Sequence, residues 1–243
     1  MSNTIKELIE RQSVRIFEDK QISKEDKQAI LDAAVNGPSA NNKQTYSIID
    51  VTDQSKIDKL AELCGNQPFI SKAKMVLVFC ADNQKWMDVY NDLDLNPRHP
   101  EVGDLMVSIV DATIAAQNAV TAAWSLGIGS CYIGYIVDKF DDINPLFNIP
   151  QYTYPCCMVV FGYPDKEHLP AQKRKRFDNK YIIFENEYKR FNSEELKDMM
   201  LERTLPREYK DWVSDYIGKK HNSDSTKARM VSINKYIERY TKD

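Results

Sequence analysis

Residues 10–17 read ERQSVRIF, with Arg11 and Arg15 on either side of Ser13. Arginine carries a rigid fork of N–H donors and a permanent charge, and serine adds a small hydroxyl. Such groups suit a phosphate or another anion with several oxygens. The same stretch closes a first helix, where cations complement the helix dipole with no ligand at all. Four further stretches offer related chemistry. GPSANNKQ (37–44) brings Pro38, Ser39 and Asn42, a turn with a hydroxyl and side-chain amides. In CGNQ (64–67), Gln67 can both donate and accept. In YIGY (132–135), Gly134 lets backbone approach a flat ligand closely. The run Arg174-Lys175-Arg176 adds further cations. Converging, these pieces would hold one phosphorylated planar ligand; taken singly, each is an ordinary loop or surface feature.

Other chemistries fail on spacing. GIGSCYIG (127–134) starts like a dinucleotide fingerprint, but Tyr132 stands where the third glycine belongs. GPSAN follows a helix rather than a strand, and Asn41 replaces the second glycine of a nucleophile elbow. No Walker-type phosphate loop occurs, and His99, His168 and His221 lie far apart, with no zinc-like Cys/His spacing. Asp141 and Asp142 have no apolar setting to raise a carboxyl pKa and read as solvated. Cys64, Cys80, Cys131, Cys156 and Cys157 read as reduced packing residues; Cys156 and Cys157, adjacent on a strand, point to opposite faces.

The elements that must carry these groups follow from periodicity. The chain has 243 residues, 42% hydrophobic and 28% charged, with a formal charge of −3. That is enough for a large core, and its acidic balance (pI about 5.7) argues against a dedicated nucleic-acid binder. No apolar run approaches the ~20 residues of a membrane span, and the polar N-terminus lacks a signal core, so the expectation is a cytoplasmic protein. Ser23-Lys-Glu-Asp26 reads as an acidic capping box opening a helix to Val35, which Gly37-Pro38 stops. Strands are expected at 45–51, 75–81, 131–137, 156–164 and 181–188, and helices at 54–64, after 83, at 138–147 and beyond 194. Residues 104–126 form an alanine-rich helix whose only charges are Asp104 and Asp111. Apolar nearly all round, it reads as buried on every side, at the domain centre or a subunit interface. In the tail, Met230, Ile233, Tyr236, Ile237 and Tyr240 recur at helical spacing and read as core. No linker divides the chain, so residues 1–243 are expected to form one domain with a helical C-terminal excursion from about 194.

In these stretches the sequence resembles the FMN-dependent nitroreductase family, and more closely its larger NADPH-preferring branch of nitroreductases and flavin reductases. The likeness covers nearly the whole chain. It is carried by LIERQSVRIFEDKQIS, GPSANNKQ, CGNQ, DATIAAQNAVTAAWSLGIGSCYIG, FGYP and the basic run before IIFENEY. It implies an α+β fold with a mixed, mainly antiparallel central sheet flanked by helices. It also implies an intertwined homodimer with FMN at the interface, the helix 104–126 serving dimerisation and YIIFENEY joining the partner's sheet. By position, Arg11, Ser13, Arg174 and Arg176 match the phosphate and ribityl contacts; Gln12 joins them where relatives are often basic. Arg15 matches the cation near flavin N1 and the C2 carbonyl, and Gln67 the amide reading the pyrimidine edge. Tyr132, Ile133 and Gly134 match the strand backing the ring, with a backbone N–H aimed at N5, and Tyr135 follows them. Pro38, Ser39 and Asn42 match a turn donated by the other subunit. Gln44-Thr-Tyr departs from the Gln-Pro-Trp of many smaller members.

The resemblance implies ping-pong two-electron transfer from NADPH or NADH through FMN to small-molecule oxidants: nitroaromatics, quinones or flavins. Arg15 would stabilise charge on the reduced ring, and Gly134 would present its backbone near N5. Relatives hold the 2′-phosphate of NADPH with a mobile loop, here RTLPREYK, so Arg203, Arg207 or Lys210 would serve; the stretch also reads as a solvated linker. Competing readings are a specialised flavin reductase or dehalogenase of the same family, a flavin-binding sensor or storage protein without turnover, and an unrelated anion-binding helical module that needs no flavin. No metal, nucleic-acid or membrane partner is expected.

Overall fold

Helix ends are set locally. In the computed structural model, which describes residues 2–169, 173 and 175–242, α1 (Asn3–Glu10) begins at Ser2, whose hydroxyl accepts from the Ile5 amide. Ser23 accepts from the Asp26 amide at 2.9 Å to open α2 (Lys24–Val35), while the Asp26 carboxylate accepts from the Tyr163 hydroxyl. Four strands, β1 (Tyr46–Asp50), β2 (Met75–Asp82), β3 (Gly129–Ile133) and β4 (Thr153–Gly162), form one sheet in the order β1-β2-β4-β3. Every pair is antiparallel. The sheet itself is antiparallel throughout, and a single parallel bridge from Ser13 to Ser130 lays the N-terminal segment beside β3.

Helices cover both faces of the sheet. Alternate residues of β2 point opposite ways. Met75, Leu77 and Phe79 join the core under α2 and α5 (Val102–Ser125), where Ala112, Ala116 and Ala119 allow close approach. Val76, Val78 and Cys80 join the other core with α3 (Gln54–Leu63), α6 (Phe140–Phe147) and Tyr236 and Tyr240 of α9. α4 (Gln84–Asp92) follows β2 directly.

The described chain clusters into two units, one running to residue 169 and taking in 229–242, the other lying between 173 and 228. The second unit holds α7 (Ser193–Thr204), α8 (Tyr209–Tyr216) and the start of α9 (Asp224–Tyr240).

Several expectations need correction. Within one chain the helix predicted at 104–126 is buried on one side only, which rules out the domain-centre alternative: Met106, Val107 and Val110 are 64%, 47% and 57% exposed on the other side. At 24 residues it is also long and apolar enough, by length and composition, to cross a membrane, contrary to the expectation that no such run exists. Its buried face lies on the sheet, as in the core helix of a soluble domain. Residues 181–188 form no strand: a short turn ends at Tyr181, and Ile182, Ile183 and Tyr188 are exposed. The strand expected at 131–137 ends at Ile133, where a single tight turn (Gly134–Val137) takes over. In the tail, Met230 is exposed while Tyr236 and Tyr240 are buried. Asp141 is solvated as expected and pairs with Lys235.

Candidate functional site

α1 ends at Arg11, whose amide still donates to the Glu7 carbonyl at 2.9 Å, and the chain then turns extended. Val14 N–H donates to the Ser130 carbonyl at 2.9 Å, and Glu18 N–H to that of Tyr163 at 2.9 Å. Residues 13–18 therefore run past the ends of β3 and β4. Two glycines make room for them. A Cβ on Gly129 would stand 2.5 Å from Val14 Cγ2, and one on Gly162 2.8 Å from the Phe17 ring.

This path gathers Arg11, Ser13 and Arg15 around the Cys131 thiol of β3. Burial raises that thiol, and the Arg15 charge, a hydrogen bond with Ser13 and the Arg11 charge oppose the rise. Burial likewise raises the neighbouring Tyr132 phenol against the pull of Arg11. Arg11 Nη1 is fully buried and has no hydrogen-bond partner among the described residues. An unsatisfied buried guanidinium nitrogen is costly, and such an atom calls for an acceptor that the described residues do not provide. Arg15 is exposed and Gln12 half-buried.

At the end of β3 the surface opens: a Cβ on Gly134 would meet nothing within 4 Å. Tyr135, 39% exposed, lies against Gly65, whose Cβ would sit 3.4 Å from the ring. The Arg229 guanidinium stands 5.2 Å from the Tyr135 ring centre and clamps Asp138 with bonds of 2.6 and 3.0 Å. Gly65 and Asn66 both take positive φ, 85° and 51°, to reverse the chain after α3. This turn holds Gln67, whose side-chain amide donates to the Cys64 carbonyl at 2.5 Å; its oxygen and second N–H remain for other partners.

The turn with Pro38, Ser39 and Asn42 lies elsewhere. It leads into β1, at the opposite edge of the sheet from β3, three inter-strand steps or about 14 Å away. One chain thus presents the predicted site as two separate half-sites. The turn is tightly wound: Asn41, Asn42 and Gln44 all have positive φ, and the Ser39 hydroxyl accepts from Gln44 N–H at 3.1 Å. Beneath it, Asp111 of α5 accepts from Ala40 N–H at 2.9 Å, Thr45 N–H at 3.3 Å and the Thr45 hydroxyl at 2.7 Å. Neither Asp111 nor Cys131 stood among the predicted site residues. The one signal for Asp111 was a lone charge in the middle of an oily helix.

The remaining candidates belong to the second unit, except Arg174, which lies outside the described residues. Arg176 and Arg203 line a cavity of about 850 Å³ with Trp212 and Tyr216, and the Arg203 guanidinium stacks 3.8 Å from the Phe177 ring centre. Arg203 is in α7, not in a loop as expected. Arg207 is held by Asp215 at 2.8 Å, and Lys210 is exposed in the first turn of α8. No cluster of metal-ligating side chains occurs among the described residues.

The model of the nitroreductase family matches residues 8–163. The chain belongs to the nitroreductase family. The match spans both half-sites; Arg174, Arg176, Arg203, Arg207 and Lys210 lie beyond it. Among curated relatives, the chain is 30% identical over 241 residues to "FMN reductase [NAD(P)H]" of Bacillus subtilis, covering 98% of this chain and 92% of that one. It is 32% identical over 193 residues to "Oxygen-insensitive NADPH nitroreductase" of Salmonella typhimurium, covering 77% and 75%. Among solved structures, the NADPH:FMN oxidoreductase of Vibrio harveyi complexed with NAD+ superposes with a TM-score of 0.83 at 25% identity, over 97% of this chain and 98% of that one. The nitroreductase-like α+β fold expected from the sequence is thus the fold of the chain.

Proposed function

We propose that this nitroreductase-family chain is an FMN-dependent NAD(P)H oxidoreductase that reduces nitroaromatics, quinones or flavins two electrons at a time. The observation that carries the reading is the buried, unpartnered Arg11 guanidinium nitrogen beside Ser13 and Arg15, at the rim of the open surface over Gly134. That donor set fits a flavin nucleotide: cations and a hydroxyl for the phosphate, and open space over Gly134 for a flat ring. Bound FMN would supply the hydride chemistry. Arg11 and Ser13 would hold the phosphate. Arg15 would set a permanent positive charge where negative charge accumulates on reduction. Gln67 would read the ring edge through its free amide groups, and Tyr132, Ile133 and Gly134 would back the ring. No nucleophilic side chain is required of the protein.

Within this reading the two half-sites meet only across two copies of the chain, so Pro38, Ser39 and Asn42 of one protomer would complete the site of its partner. The apolar residues left uncovered on α5 support such a homodimer. Arg203, with Arg207 and Lys210 nearby in sequence, remains a candidate for the NADPH phosphate. All five cysteines are free, which suits a reducing compartment such as the cytoplasm.

Anaerobic stopped-flow measurement tests the reading. With FMN loaded, NADPH or NADH should bleach the flavin band near about 450 nm, and a nitroarene or quinone should restore it. A flavin that binds yet is bleached by neither nucleotide would mark a binding protein and not an enzyme.

A further inference from the structure

Resting on the reading of a flavin site shared between protomers, we propose that Asp111 is its positioning residue, fixing from beneath the turn that carries Pro38, Ser39 and Asn42. The turn is held in a form its own sequence only partly favours: asparagine tolerates the left-handed region, as at 41 and 42, but glutamine at 44 does not. Three of its residues, none of them glycine, take left-handed φ values of 53°, 56° and 51°. Such conformations persist only where the surroundings enforce them. Asp111 does so by division of labour between its two oxygens. Oδ1 accepts from Ala40 N–H at the start of the turn, and Oδ2 accepts from both the amide and the hydroxyl of Thr45 at its end. The carboxylate thus pins both ends of the turn to α5, and the side chains of residues 41–44 are left facing outward, all exposed.

The chemistry of the position supports this role. Asp111 is 2% exposed in a stretch of α5 that is otherwise mostly alanine and aliphatic residues. Among the described residues no cation pairs with it; its partners are two backbone amides and one hydroxyl. A buried carboxylate without a counter-ion costs free energy that an apolar side chain of similar size would avoid. What it provides is acceptor capacity on two oxygens. Asparagine has nearly the same shape but one acceptor oxygen, so it would set an N–H donor against the donors at one end of the turn. The same α5 presents the exposed Met106 and Val110, so the helix that would form the dimer contact also holds the turn sent across it.

The test compares FMN dissociation constants, by flavin fluorescence, for the wild-type dimer, Asp111→Asn, Thr45→Val and the double variant, with the melting temperature of each apoprotein as a control. Asp111→Asn should weaken FMN about tenfold or more, the scale of a lost hydrogen bond to a charged group. Thr45→Val should weaken it less, and the double variant no more than Asp111→Asn, because both act through one contact. A merely structural role would lower the melting temperature and leave the dissociation constant of the folded protein unchanged, which would overturn the proposal. If Asp111→Asn does not fold, Thr45→Val decides: an unchanged dissociation constant refutes the role. Wild-type protein that fails to bind FMN would instead overturn the flavin reading on which this rests.

Discussion

At the scale of single residues, the two arginines of ERQSVRIF separate by environment. Arg11 is half-buried with an orphaned nitrogen, whereas Arg15 is exposed. Their types and spacing suggested an anion site; which of them is buried depends on the path past Gly129 and is not written in the local sequence. We expect Arg15→Gln to slow flavin reduction by NADPH about ten- to a hundredfold, while FMN stays bound. An unchanged rate in stopped flow would remove Arg15 from the mechanism. Cys64, Cys80 and Cys157 were legible as packing residues because apolar surroundings keep a thiol protonated. Burial pushes each of them up to about 12. In the unfolded chain a thiol titrates near 8.5, so their contribution to stability is complete below about pH 8.5. It is lost as pH climbs from there towards about 12, on the order of 1 kcal/mol per thiol per pH unit. Melting temperatures should therefore fall steeply between pH 9 and 11 by about the amount those thiols allow; a flat profile would show that they titrate freely.

At the scale of elements, strands with two buried faces were the easiest to read. MVLVFC and CCMVVFG are continuous apolar runs, and both became central strands, β2 and β4. YIIFENEY has comparable β-propensity but no strand beside it in the described chain, and propensity without a pairing partner does not make a sheet. The oily helix α5 was read as buried all round because composition cannot distinguish a side packed on the sheet from one left open. Gly134 was legible as a place for close approach, but the packing demand on Gly129 and Gly162 was not. Gly129 exists because Val14 occupies the space its Cβ would take. Gly129→Ala should push Val14 and the segment behind Arg11 away, destabilising the fold by about 1–3 kcal/mol and weakening FMN binding with it. Melting and flavin titration of that variant check this together; wild-type values in both would show that the segment is loosely held.

For the whole molecule, the legible part was the fold family, and the part that sequence order hid was the division of the site. Residues 37–44 and 132–135 look like members of one constellation, yet the strand order β1-β2-β4-β3 places them at opposite edges of the sheet. On the proposed reading, a second copy would resolve the separation and cover the apolar side of α5. Sedimentation should show a dimer, and Val110→Glu, which sets a charge on that exposed stripe, should shift it towards monomer and reduce FMN affinity in parallel. A monomer that still binds FMN tightly would mean that one chain suffices. The central claim is that the Arg11 cluster receives the phosphate of a flavin nucleotide. Titrating the wild-type protein with FMN and with riboflavin, which lacks the phosphate, tests it most directly. We predict that FMN binds at least about a hundredfold more tightly, as charge-assisted bonds to a buried guanidinium require; equal affinities, or none for either, would contradict the account.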